Sequence, residues 1–296
     1  MERMQLSWLQ NKCIVVTGAA GFLGSHLCDR LLAEGARVIG VDNLITGSEK
    51  NIRHLKDNPD FTFIKADVTA PAEEYLPSLL IDGILHFASP ASPPRYQAKP
   101  VETYLVNSIG THYLLQYLKK FHPSARFFFA STSEVYGDPG VHPQPEDYWG
   151  NVNPNGIRSC YDEGKRLGET ICGVHQRDFG MDVRIVRIFN TYGPRMDKSD
   201  GRIIPNFASQ AMAGKPITIY GDGNQTRSFC YVDDLVEGIL RYFSAPDLSG
   251  ETINLGNPEE FTALEAARVI WKSVHQDYSE PIFAFESEKS DDPTRR

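Results

Sequence analysis

Cys13–Gly24 reads CIVVTGAAGFLG: a short apolar run, a turn with three glycines and the opening of a helix. Cys13–Thr17 predicts a buried strand, and Phe22–Glu34 carries apolar residues at helical spacing up to Gly35, a good helix stop. The glycines fall at 18, 21 and 24, a G-x-x-G-x-x-G spacing in place of the more common G-x-G-x-x-G. The physics is shared: Gly18, Gly21 and Gly24 let the backbone approach a pyrophosphate, and the positive end of the helix favours its charge. Phe22 and Leu23 lie between these glycines and join them as cofactor-binding positions. The alternative is a glycine-rich turn without a ligand, which the strand–turn–helix context disfavours.

Outward from this unit the alternation repeats. Arg37–Val41, Phe61–Lys65, Gly83–Ala88, Arg126–Ala130 and Val183–Ile188 predict further strands, with helical stretches between most of them. The pattern predicts an α/β fold, a Rossmann-type doubly wound parallel sheet with a smaller C-terminal α/β substrate domain. The expected division is 1–190 for the dinucleotide-binding domain, including a Tyr/Lys helix, and 191–296 for mainly the substrate domain, with some chain returning to the large one. In the second part, Ile203–Ala213, Asp233–Phe243 and Thr262–Val274 look helical, and Ile217–Tyr220 and Phe229–Val232 look like short strands. Such a domain suits the carboxyl edge of the sheet, where open α/β folds bind ligands. Pro90, Pro93 and Pro94 are expected to stiffen a loop at that edge. The helix expected over Val101–Phe121 is apolar on more than one side, which fits a subunit interface or cover by the chain's own helices.

Asp42 ends the second strand, where an acid accepts hydrogen bonds from an adenosine ribose. A carboxylate there repels a 2′-phosphate, so NAD is expected over NADP. Asn43 follows it; Asp67 and Val68, after the third strand, are placed near the adenine, and Ala88 ends the fourth strand. For Asp67 a turn-capping role is an equal alternative. Tyr161 and Lys165 in Tyr161-Asp162-Glu163-Gly164-Lys165 lie one helical turn apart. A lysine charge near a phenol lowers its pKa, so Tyr161 is a candidate base for a sugar hydroxyl. The bland reading of that spacing is a solvated neighbour pair. Ser131-Thr132-Ser133-Glu134 is expected after a strand at the same cleft, where the hydroxyls hold a sugar and Glu134 acts as acid or base. The alternative is a polar loop capping the next helix.

Composition bounds the rest. A chain of 296 residues is long enough for a large core and one or two domains. The net charge of −8 argues against a general nucleic-acid binder. Five cysteines, at 13, 28, 160, 172 and 230, form no Cys-x-x-Cys pair, so neither a disulfide framework nor a zinc site is expected. No run long enough for a membrane span occurs, Met1–Gln10 lacks a signal-peptide core, and the cytoplasm is the expected location.

Seven segments carry a resemblance: VTGAAGFLG (16–24), HFASPASPPRY (86–96), STSEVYG (131–137), HPQPEDYW (142–149), CYDEGKR (160–166), RIFNTYGPR (187–195) and NLGNPEE (254–260). In this order they resemble the extended short-chain dehydrogenase/reductase family, and within it the UDP-glucuronate decarboxylase branch that makes UDP-xylose. The resemblance implies a lyase working through a transient 4-keto sugar, with NAD as cofactor, a UDP-sugar as substrate and a homodimer as assembly. It implies Tyr161 as base for the C4 hydroxyl, Lys165 on the nicotinamide ribose, Thr132 and Ser133 near C4, and Glu134 in proton handling at C5. Asn190 and Arg227 would meet the UDP phosphates, and Arg202 and Tyr220 the uridine or phosphates. Arg95 stands where many members have His. The chain ends at Asp292-Pro293-Thr294-Arg295-Arg296, where members continue through a further helix; a truncated end is expected, and Arg295 would approach the nucleotide less firmly held.

Three other readings compete with this one. A nucleotide-sugar 4,6-dehydratase needs an acid to protonate the leaving hydroxyl, and Ser133 stands where its Asp would be. A 4-epimerase generally lacks a Glu at 134. A nonenzymatic NAD-binding sensor typically loses the active Tyr or Lys, both present here.

Overall fold

The computed structural model describes residues 6–276 and 279–287. Arg295 and the chain end lie outside the described residues. The strands are β1 Cys13–Thr17, β2 Arg37–Asp42, β3 Phe61–Lys65, β4 Gly83–His86, β5 Arg126–Thr132, β6 Val183–Ile188, β7 Thr191–Tyr192, β8 Ile217–Tyr220, β9 Thr226–Ser228, β10 Cys230–Tyr231, β11 Thr252–Leu255, β12 Glu260–Thr262 and β13 Phe283–Glu286. The α-helices are α1 Phe22–Ala33, α2 Pro93–Ala98, α3 Pro100–Leu105, α4 Thr111–Phe121, α5 Ser159–Phe179, α6 Ile203–Met212, α7 Val232–Ser244 and α8 Ala263–His275.

Seven strands form one sheet in the order β11-β6-β5-β4-β1-β2-β3, every neighbouring pair parallel. Strand order reverses between β1 and β4, and the crevice at such a point is where doubly wound sheets hold ligands. Both faces of this sheet are covered, so its strands are continuous apolar runs and not alternating ones. The side chains still alternate in destination: Phe128 enters the core with α1 and α7, while Phe127 and Phe129 enter the other, with α4 and α5.

The second half of the chain is shared out. β11 adds to the large sheet beside β6, and the buried stripe of α7 (Leu235, Val236, Ile239, Leu240, Phe243) packs into the same core as α1. A separate small core joins Phe207 on α6, Ile217 and Ile219 on β8, and Ala267 on α8. There β8 pairs with β13 in parallel, and β9 pairs with β12 antiparallel.

Several local expectations change. Pro93 is not in a loop: it opens α2, because a first-turn position needs no amide and suits proline's fixed φ. The helix expected over Val101–Phe121 is interrupted at Val106–Gly110 by a π-turn between α3 and α4. Ser131 and Thr132 belong to the end of β5, not to a loop after it. Of the strand expected at Phe229–Val232 only Cys230–Tyr231 (β10) forms, and Val232 already opens α7. All five cysteines are free. Among the described residues no helix is long and apolar enough to cross a membrane, and no acidic, His or Cys cluster is fit for a metal.

Candidate active site

A cavity of about 970 Å³ opens along the carboxyl ends of the large sheet and runs under α6, β8 and β9. A smaller pocket of about 110 Å³ adjoins it, sharing Gly18, Gly21, Thr46, Phe87 and Ser89. The larger volume is in the range of sites for sizeable ligands.

The turn after β1 floors the junction. Gly18 has φ +71°, and a Cβ on it would lie 2.8 Å from the Phe87 backbone. A Cβ on Gly24 would lie 2.0 Å from the Gly18 carbonyl oxygen, so the turn and α1 touch backbone to backbone. Helix α1 starts at Phe22 with Gly21 as its N-cap, which has no side chain to occupy the free first-turn amides. Gly21, Phe22, Leu23 and Gly24 all line the cavity. This is a cradle for an anionic pyrophosphate.

The smaller pocket is lined by Asp42, Asn43, Asp67, Val68 and Ala88. The buried Asp42 carboxylate accepts hydrogen bonds from the amides of Ala20 (3.0 Å) and Leu44 (2.7 Å). Burial pushes its pKa up, and these two amides only partly offset that. Asn43 donates to Asp67 at 2.8 Å, and the Thr69 amide and hydroxyl donate to it at 2.9 and 2.7 Å. Burial of Asp67 is outweighed by these bonds, which hold its carboxyl below the usual range. Asp67 therefore caps a turn, and it also borders the pocket. The glycine cradle, the uncapped helix start and the acid at the end of β2 together fit a dinucleotide with a free ribose 2′-hydroxyl.

At the other end, Thr132, Ser133, Glu134, Tyr161 and Lys165 line the large cavity together. The buried stripe of α5 runs Tyr161, Gly164, Lys165, Gly168, Cys172, which aims both functional side chains at β5. Lys165 Nζ donates to the Ala130 carbonyl at 2.6 Å and lies 5.8 Å from the Tyr161 ring centre. Burial pulls its pKa down to about 7. The Tyr161 phenol is not lowered, contrary to the sequence expectation. Burial pushes it up; the Thr132 hydroxyl, Arg202 and Arg158 pull it down without prevailing, and Asp162 raises it. Lys165 is itself desolvated and turned to a backbone carbonyl.

Two neighbours escaped the sequence reading. The Tyr96 ring, on α2, stacks on Tyr161 at 5.0 Å and an interplanar angle of 4°. Arg158, just before α5, forms an ion pair with Glu134, and its Nε lies 3.8 Å from Asp162. The signal for Arg158 was its position three residues before Tyr161, one turn away on the same helix end.

Of the expected substrate positions, Asn190, Arg202, Tyr220, Arg227 and Arg95 all line the cavity. Arg202 is paired with Asp200, and Arg95 with Asp197 and Ser199. Arg227 is buried and donates to the Thr226 carbonyl at 2.8 Å. These arginines are held by the protein's own oxygens in the ligand-free molecule.

The chain is similar to known proteins over most of its length. The chain is 50% identical over 283 residues to UDP-glucuronic acid decarboxylase 4 of Arabidopsis thaliana, covering 96% of this chain and 61% of that relative. It is 48% identical over 291 residues to UDP-glucuronic acid decarboxylase 1 of Danio rerio, covering 98% and 67%. The chain thus spans about three fifths of the length of the Arabidopsis relative. Among solved structures, UDP-glucuronic acid 4-epimerase from Bacillus cereus, in complex with UDP-glucuronic acid and NAD, superposes with a TM-score of 0.80 at 30% identity, covering 96% of this chain and 88% of that one. Residues 14–256 match the family described as NAD dependent epimerase/dehydratase. The chain belongs to the NAD dependent epimerase/dehydratase family, the extended short-chain dehydrogenase/reductases.

Proposed function

We propose that this protein is a lyase that decarboxylates UDP-glucuronate to UDP-xylose through a 4-keto sugar. The observation that carries the reading is Ser133-Glu134 at the pyranose end of the cavity, beside Thr132 and Tyr161. A carboxylate base sits there, and position 133 has no acid to expel water. The relatives named for this activity, at about half identity over most of the chain, support it.

In the proposed reaction, Thr132 and Ser133 hold the sugar with C4 at Tyr161, and Tyr161 as the phenolate takes the C4 hydroxyl proton; burial opposes that form in the ligand-free molecule, and the positive nicotinamide ring of bound NAD would favour it. NAD, when bound, supplies the reversible two-electron oxidation at C4. Gly18, Gly21 and the α1 amides would hold its pyrophosphate, Asp42 its adenosine ribose, and Lys165 its second ribose. With C4 a ketone, the uronate is a β-keto acid, and the electrons of the breaking bond pass into the carbonyl as CO2 leaves. The Tyr161 hydroxyl donates to the enolate oxygen, and water beside Glu134 protonates C5. Re-reduction at C4, with the Tyr161 proton returned, completes UDP-xylose. The balance is one proton in and one CO2 out. Asn190, Arg202, Tyr220 and Arg227 would hold the UDP, with guanidinium forks suited to phosphate.

Two further parts of the reading concern the whole molecule. Tyr104, Ile109 and Leu167 are exposed apolar residues on or between α3 and α5, which supports a homodimer through those helices. We infer a cytoplasmic location, which the five free thiols support. Incubation of purified protein with UDP-glucuronate, with CO2 and nucleotide sugar assayed, tests the function. CO2 with UDP-xylose is the expected result; UDP-galacturonate without CO2 would mean an epimerase instead.

A further inference from the structure

Glu134 sits in the short turn that follows β5. Its amide donates to Thr132 Oγ1 at 3.2 Å, so its backbone is tied to the strand end. Its side chain is held from α5. The Arg158 guanidinium pairs with it, and the two side chains are only 9% and 15% exposed. Asp162, one turn further along, approaches Arg158 Nε at 3.8 Å. An arginine within α5 grips the same turn: Arg166 donates to the Val135 carbonyl at 2.9 Å and to the Trp149 carbonyl at 2.6 Å. The turn carrying Glu134 is thus bracketed by arginines from the helix that also carries Tyr161.

We propose that Arg158 is a positioning residue for Glu134, orienting its carboxylate toward the sugar and holding it ionised. The catalytic consequence rests on the decarboxylase reading; the electrostatic one does not. A glutamate has three rotatable bonds, and a planar guanidinium at contact range restricts them. A cation in contact also favours the charged carboxylate. Among the described residues, Tyr161 and Lys165 from α5 and Arg202 before α6 line the same cavity, with Arg95, Arg227, Asp197 and Asp200 also on its wall and Asp162 behind Arg158. Arg158 is a cation paired with Glu134.

The test compares Arg158→Met, Arg158→Lys, Glu134→Gln and the double variant Glu134→Gln/Arg158→Met. In glutamate-labelled protein, carbon NMR follows the Glu134 carboxyl, assigned by its loss in Glu134→Gln. Removing the cation should raise the Glu134 midpoint by about one pH unit or more. Turnover of UDP-glucuronate should fall about tenfold or more in kcat with KM nearly unchanged. Arg158→Lys should recover part of both effects. The double variant should be no slower than Glu134→Gln alone, because Arg158 acts through Glu134. An unmoved Glu134 midpoint, additive losses, or a rise in KM alone overturns the proposal; the last would make Arg158 a substrate binder. A shifted midpoint with no CO2 release by the wild type sinks the decarboxylase reading and leaves this one standing. NAD retention by each variant reports its folding, and Arg158→Lys carries the test if Arg158→Met does not fold.

Discussion

At the dinucleotide end of the cleft, Gly18, Gly21 and the first turn of α1 present backbone amides from one continuous stretch. At the end proposed for the sugar, Thr132, Glu134, Arg158, Tyr161 and Lys165 present side chains from β5, the turn after it, and the start and body of α5. The first surface works by what is missing: any Cβ at Gly18 or Gly24 would strike backbone. The second works by what is present, and depends on burial and charge pairing between separate segments. The dinucleotide end should therefore tolerate loss of side chains and fail on their addition, and the sugar end the reverse.

The sharpest way to break this contrast is Gly24→Val. With the Gly18 carbonyl oxygen 2.0 Å from the position of the first added carbon, the turn must open. NAD affinity should fall by about a thousandfold or more, the loss of several kcal/mol of phosphate contacts. Calorimetry with NAD checks it, and near-normal affinity would show that the cradle does not depend on this approach.

Tyr161→Phe removes one oxygen from the opposite end. The turnover of UDP-glucuronate should fall by roughly 10² to 10⁴, the usual worth of a positioned acid–base group. Affinity for NAD and for UDP-glucuronate should stay close to that of the wild type, because the proton moves only in the transition state. Comparable losses in kcat and in binding would erase the distinction between holding and reacting groups.

The smallest effect concerns Lys165. Burial brings it to about 7 in the ligand-free molecule, whereas an unfolded lysine titrates near 10.4. Between those values the unfolded chain holds a proton that the folded one has lost. Stability should therefore rise with pH across that window, by at most about 1.4 kcal/mol per pH unit from this group. Below the window both states are protonated, and the burial penalty is present in full. Urea unfolding of NAD-free protein at several pH values, compared with Lys165→Met, isolates the slope. Parallel curves would mean that the ammonium is solvated.

The same contrast explains what could be read from residues alone. The strand–glycine–helix unit at 13–24 and the Tyr161–Lys165 spacing were legible because each lies within one element or one turn. The parallel alternation up to β6 was legible from apolar periodicity. The π-turn at Val106–Gly110 was not, since helical periodicity barely changes across one widened turn. Nor was the return of β11 to the edge beside β6, which joins residues 252–255 to 185–188. The direction of the Tyr161 shift was misjudged because spacing shows the lysine's place on the helix, and not how deeply both groups are buried.

Local chemistry determined the alternation of strands and helices up to β6, the glycine turn before α1 and the one-turn spacing of Tyr161 and Lys165, since these depend on contacts within a few residues. The pairing of Glu134 with Arg158, the stacking of Tyr96 on Tyr161 and the desolvation of Lys165 arose only when distant segments closed around one cavity. Charge and burial act through space, so no count of positions along the chain contains them.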